Sequence, residues 1–181
     1  MRAPRWTPRR VLALVMLAAA THVAAVWVLP RVIMARLAST ASAAEKSGVY
    51  LPPMTDHQQR RIVMPSPDLL YATCAFDLSE RGLSIHADPK RGGHAGYWSI
   101  ALYASNSDNF FVINDRQTGD APLHLVLRRE GDAPAPLPAG AQQVISPSTR
   151  GLMLMRVLVS DFAREAAVVE AARRTLRCEP V

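Results

Sequence analysis

YWSIALYASNSDNFFVINDR, residues 97–116, reads as two strands joined by a tight polar turn. Tyr97, Ser99, Ala101 and Tyr103 alternate with Trp98, Ile100, Leu102 and Ala104. Asn106-Ser107-Asp108-Asn109 breaks the run, and Phe110 to Asn114 starts the second strand. Aromatic and β-branched residues suit a pleated, half-buried surface, and Asn, Ser and Asp supply turn chemistry.

The flanking sequence repeats this grammar. Leu70 to Leu78 predicts a strand with Leu70, Ala72, Cys74 and Phe76 on one face. Leu83 to Ala87 alternates as a half-buried strand should. Leu123 to Leu127, Gln143 to Ser146 and Leu152 to Val159 are further strands, the last apolar enough to be covered on both faces. Ile62-Val63-Met64 is a short apolar run near the start of the folded part. Residues 130–140, EGDAPAPLPAG, form a Pro-rich surface connection. Ser160 is the expected N-cap of a closing helix, with Asp161 in its first turn. Phe162, Ala166, Val169, Ala172 or Arg173, and Leu176 recur at helical spacing. The expected class is mostly β: an antiparallel sandwich or open barrel with one C-terminal helix, preceded by a single N-terminal transmembrane helix.

That first helix follows from Val11 to Leu29, 19 residues without a charge. At about 1.5 Å per residue it spans about 28 Å, close to the thickness of a hydrocarbon core. Trp6 and Trp27 stand near its ends, and Pro30 just beyond is placed to kink or end it. Six of the 21 basic residues lie in residues 1–36, which hold no acid, leaving 15 basic against 15 acidic in the remainder. A net charge of +6 is therefore the charge of a membrane flank, and nucleic acid is excluded as a partner. Arg2, Arg5, Arg9 and Arg10 before the span orient the N-terminus to the cytoplasm of a bacterial inner membrane and export the rest to the periplasm. The domain reading is residues 1–10 cytoplasmic tail, 11–34 anchor, 35–60 linker and 61–181 exported β-rich domain. A cleaved signal peptide is the alternative: Ala41-Ser42-Ala43 has the small residues of a cleavage site. The span, however, is longer than a typical h-region.

Export places Cys74 and Cys178 where disulfides persist, so the two are expected to pair and to tie the terminal helix to the sheet. Neither CxxC nor HxxxH spacing occurs, so no metal is expected, nor any cofactor. No GxSxG elbow occurs, and His86 and His124 fall within strands as packed or surface residues. The Gly-rich loop at Asp88 to Gly96 lacks the spacing of a phosphate cradle. What remains is a polar and aromatic set around the hairpin: Tyr71, Asp77, Tyr97, Trp98, Tyr103, Asn109, Asn114, Asp115 and Arg116. Such residues line surfaces for a peptide, glycan or partner domain, and they also serve as edge caps and turns in β proteins.

Pro67-Asp68-Leu69-Leu70-Tyr71, Asp77-Leu78-Ser79, Tyr97 to Tyr103, Asn109-Phe110 and Arg116-Gln117-Thr118-Gly119 resemble, in order and spacing, the bacterial family called domain of unknown function 1254. The resemblance covers roughly residues 65–127, with a fainter echo through Ser146 to Thr149 and Arg156 into the last helix. Arg81-Gly82-Leu83 departs from the Gly-Pro-Val run usual there. The resemblance implies a β-rich domain, an envelope location and a companion β domain, here as a separate envelope protein. It implies no established activity.

The leading expectation is thus a membrane-anchored envelope interaction module. An envelope hydrolase acting on glycans or peptides, with Asp77, Asp115 and Tyr97 near one cleft, is the alternative. A secreted binder freed by cleavage after Ala43 is the third reading.

Overall fold

The computed structural model describes residues 7–44, 48–54, 66–90, 93–132 and 136–181. The apolar run Ile62-Val63-Met64, the first part of the expected cytoplasmic tail and much of the expected linker lie outside them. A long helix, α1 (Pro8–Ala44), leads into β1 (Val49–Tyr50), β2 (Leu69–Asp77) and β3 (Leu83–Ala87). The central hairpin is β4 (Trp98–Ala104) and β5 (Asn109–Asn114), followed by one helical turn, α2 (Asp115–Thr118). Then come β6 (Leu123–Arg129), β7 (Gln142–Ser146), β8 (Arg150–Leu158), α3 (Phe162–Arg173) and β9 (Arg177–Pro180).

The strands form two sheets, which decides between sandwich and open barrel. The first has the order β1-β2-β8-β4-β5 and the second β7-β6-β3-β9. Pairing is antiparallel except between β6 and β7, which run parallel. A parallel neighbour needs a crossover of about a dozen residues, and the Pro-rich connection supplies it.

The period of two does the sorting. Leu70, Ala72, Cys74 and Phe76 of β2 point inward with Met153, Met155 and Val157 of β8 and Trp98, Ile100 and Leu102 of β4. Leu83, Ile85, Ala87, Leu123, Leu125 and Leu127 face them from the second sheet, and all belong to one core cluster. As the apolar run of β8 predicts, that strand is central, between β2 and β4. Gly151 sits where β8 meets β4: a Cβ there would stand 2.2 Å from the Tyr103 carbonyl oxygen and 2.3 Å from Phe76 Cζ.

Three local expectations change. Pro30 does not end α1, which stays helical through Ala44, so the small, polar residues expected to open the linker are helix. The reason is tertiary: Met34 and Ala41 are buried with Leu152, and Leu37 packs beside Tyr50, Ala75 and Tyr103. Arg31 also donates to the Trp27 carbonyl at 2.5 Å and stacks over the Trp27 ring. The N-cap of α3 is Asp161, not Ser160: its carboxylate accepts the Arg164 N–H at 3.3 Å, while Glu165 accepts the Ser160 and Asp161 N–H groups. A carboxylate is the stronger acceptor for orphan donors at a helix start. Finally, α3 stops at Arg173, because Arg177–Pro180 pairs with β3 as the edge of the second sheet. Cys74 and Cys178 lie at disulfide distance, Cα atoms 6.6 Å apart, and the bridge joins sheet to sheet rather than helix to sheet.

Candidate functional site

The outer face of the first sheet can be built from its register. Tyr71 of β2 faces Arg156 of β8, Arg156 faces Ser99 of β4, and Ser99 faces Asn114 of β5. Four polar side chains thus form one row across four strands, about 14 Å long at about 4.8 Å per strand. Around it, Ser99 Oγ, Arg156 Nε, Asp115 Oδ1 and, one layer deeper, Trp98 Nε1 are buried without a hydrogen-bond partner among the described residues. Buried polar atoms in native proteins nearly always find partners, so such a concentration marks a place of interest.

The expected surface residues separate into groups. Tyr71, Asn114, Asp115 and Arg116 gather at the end of the sheet that carries Ser99, with Tyr97 just before β4. Asn114 is occupied as a cap: its side chain accepts the Arg116 N–H at 3.1 Å, and Gln117 accepts the Asn114 N–H at 3.1 Å. Tyr71 accepts the Ser66 N–H on its hydroxyl, 3.0 Å. Trp98 is 1% exposed and belongs to the core, because the pleat that turns Ser99 outward turns Trp98 inward. Tyr103 packs against α1.

Asp77 and Asn109 stand at the other end. Asp77 accepts Arg150 Nε at 2.7 Å, and the bonds from Arg150 and then Ser79 hold its carboxyl below the usual value. Phe76 and Ala104 both pair with Gly151, whereas Asn114 pairs with Ser99, five residues back along β4. Asp77 and Asp115 are therefore at least about 17 Å apart along the strands, at about 3.4 Å per residue. Paired carboxylates for glycoside hydrolysis stand about 5–10 Å apart. The geometry gives these two no common cleft.

In the hairpin turn, Asn106 Nδ2 donates to Asp108 at 2.6 Å and Asn106 Oδ1 accepts the Asp108 N–H, with Ser107 at φ 74°. The oxygens serve the turn. Among the described residues no group of three or more His, Cys, Asp or Glu side chains could hold a metal. On the outer face of the second sheet, His86 and His124 meet edge to face, and His124 Nε2 lies 2.9 Å from Ser84 Oγ.

Sequence reasoning missed Ser99 and Arg156. Arg156 carried a signal, being the one charge inside the apolar run of β8. Ser99 carried none, since its placement opposite Arg156 is a fact of register. The docking residues of α1 were also missed, because Met34 falls at the end of the expected anchor and Leu37 and Ala41 in the expected linker.

Comparison with known proteins gives the family. The profile of DUF1254, described as a protein of unknown function, matches residues 49–180, and the chain belongs to that family. No curated protein matches the chain. The crystal structure of the VPA0106 protein from Vibrio parahaemolyticus is similar with a TM-score of 0.57 at 13% identity, over 64% of this chain and 28% of that one. The crystal structure of a putative uncharacterized protein from Burkholderia cenocepacia is similar with a TM-score of 0.48 at 18% identity, over 81% of this chain and 40% of that one. The chain thus spans less than half the length of either, and the first likeness is one of fold.

Proposed function

We propose that this member of the DUF1254 family is a single-pass protein of the bacterial inner membrane. It holds its β sandwich in the periplasm and binds a companion β domain there. One observation carries the reading: the helix long and apolar enough to cross a membrane does not end at a loose linker but runs on into the sandwich. At about 1.5 Å per residue, α1 is about 55 Å long, so about 25 Å remains beyond a hydrocarbon core. The last turns dock Met34, Leu37 and Ala41 on the outer face of the first sheet. A domain mounted this way is displayed at one fixed attitude, which suits a surface that must meet a partner. The disulfide-distance cysteine pair supports an oxidising compartment. Buried Ala41 speaks for an uncleaved anchor, since cleavage after Ala43 would strip the docked turns and expose Leu152.

Reporters fused to the C-terminus test the topology. A periplasm-dependent reporter is expected to be active there, and activity of a cytoplasm-only reporter would overturn the orientation. The intact mass of the membrane protein separates anchor from secreted binder: a mature chain beginning after Ala43 would overturn the anchor.

A further inference from the structure

The first sheet ends on β5, and that edge is uncharged: Asn109-Phe110-Phe111-Val112-Ile113-Asn114. Native edge strands are ordinarily protected by charge, proline, shortness or a covering element, because their outward N–H and C=O groups are a template for another strand. Here protection is confined to the ends. A register shift at Leu102/Tyr103 leaves Phe110 as an extra residue at one end, and the Asn114 cap closes the other.

Between them, no strand among the described residues pairs with the edge. Asn114 gives its N–H to Gln117, so the Ser99/Asn114 pair is not the hydrogen-bonded kind. Antiparallel pairs alternate, so Ile100/Ile113 exchange backbone bonds and the N–H and C=O of Val112 point away from β4. The Val112 side chain is 42% exposed on the outer face, beside the row that holds Ser99 and Arg156. An apolar side chain above one donor and one acceptor that find no partner among the described residues is matched by a short, extended, uncharged segment of backbone.

A second copy of this chain does not fit as an antiparallel neighbour. Two β5 edges joined antiparallel into one continuous sheet are related by a two-fold axis perpendicular to that sheet. The docked part of α1, two turns from Met34 to Ala41, lies against the sheet face, so its axis runs in the plane of the sheet. Rotation by half a turn about the normal reverses every direction in that plane. The two spans would then point opposite ways and could not enter one membrane.

We infer that β5 receives a strand from a different chain, added antiparallel or parallel at Val112, by main-chain hydrogen bonding with an apolar contact above it. This deepens the reading of an anchored module with a companion β domain, and rests on it.

The test uses the full chain in its native membrane with a photo-activated crosslinking residue at exposed Asn109, and a control position at Ile145 on β7, the edge of the other sheet. Expected is one discrete adduct from position 109 whose linked peptide maps to a single extended segment of a second chain. Val112→Thr keeps the N–H and preserves the adduct. Val112→Pro removes an outward N–H that an edge strand can spare, and is expected to lower the yield at least tenfold with the melting temperature unchanged. Val112→Lys, which keeps the N–H but charges the strand, is expected to lower it likewise. An adduct of twice the chain mass would overturn the argument against self-pairing. Adducts from Ile145 only, or yields insensitive to both Val112→Pro and Val112→Lys, would overturn the β5 edge while leaving a companion in place. No adduct from either position would overturn the edge and the companion together.

Discussion

Reduction of the Cys74–Cys178 pair is the perturbation whose size the structure sets most directly. The two residues are 104 positions apart, so the bridge encloses nearly the whole sandwich. In the chain-entropy account, closing a loop of that length removes denatured-state freedom worth about 4.7 kcal/mol at 25 °C. Both cysteines are buried, Cys74 1% and Cys178 6% exposed. Reduction leaves both sulfur atoms in place, so it subtracts the cross-link without opening a cavity, which replacement by alanine would do. The loss is expected to be felt first at β9, a four-residue edge strand that the bridge pins across from the first sheet. The assay is urea unfolding of the detergent-solubilised full chain, oxidised against reduced, followed by tryptophan emission. The reduced chain should unfold about 4 kcal/mol more easily, with its melting point lower by roughly 15 °C for a domain of this size. Midpoints that agree within about 1 kcal/mol would refute the reasoning, as would two free thiols in protein isolated without reductant.

Two other outcomes follow from the packing. Gly151→Ala must push a Cβ into the Tyr103 carbonyl, a backbone atom that cannot move without disturbing the β4–β8 ladder, so a loss of about 3 kcal/mol is expected in denaturant titration; a loss under about 1 kcal/mol would refute the close approach. Buried Arg173 donates to the carbonyls of Pro52 at 2.6 Å and Tyr71 at 2.9 Å and pairs with Glu170. Arg173→Met should therefore cost about 3 kcal/mol in the same titration, and a neutral result would show that the carbonyls are satisfied otherwise.

The pH dependence has a definite sign. Burial works to raise the Glu170 carboxyl, but the bonds from Arg173 and Arg174 prevail and hold it below the ordinary value. A carboxyl whose folded pKa is depressed contributes stability above its unfolded pKa, about 4.3, and that stability is lost as pH falls through the folded value. The contribution of Glu170 should be level from pH 8 to 6 and fall away below about pH 4, and Glu170→Gln should flatten part of the acid loss of stability. Identical slopes in both proteins would count against the pair.

Local chemistry made much of the fold legible. The alternation in Leu70 to Leu78 and Leu83 to Ala87 announces strands because a pleated backbone turns every second residue inward, and those inward residues are the buried ones. The all-apolar run of β8 announces a central strand for the same reason. The candidate site was far less legible. Tyr71, Asn114 and Asp115 could be named from type and position, but Trp98 was misplaced on the surface. Arg156 and Ser99 were passed over, since which face a residue takes depends on a register that no local pattern states.

By itself, the sequence determined an apolar span with a basic flank, a neutral β-rich remainder, and a single pair of cysteines. It did so because periodicity, charge and length act within a few residues of one another. Only the tertiary structure decided what depends on distant surfaces meeting. A helix continues past Pro30 because the first sheet offers its outer face to Met34, Leu37 and Ala41. A terminal helix stops at Arg173 because β3 has a free edge for Arg177–Pro180. Asp77 and Asp115, both near the hairpin in sequence reasoning, end at opposite ends of one sheet because antiparallel register carries them there.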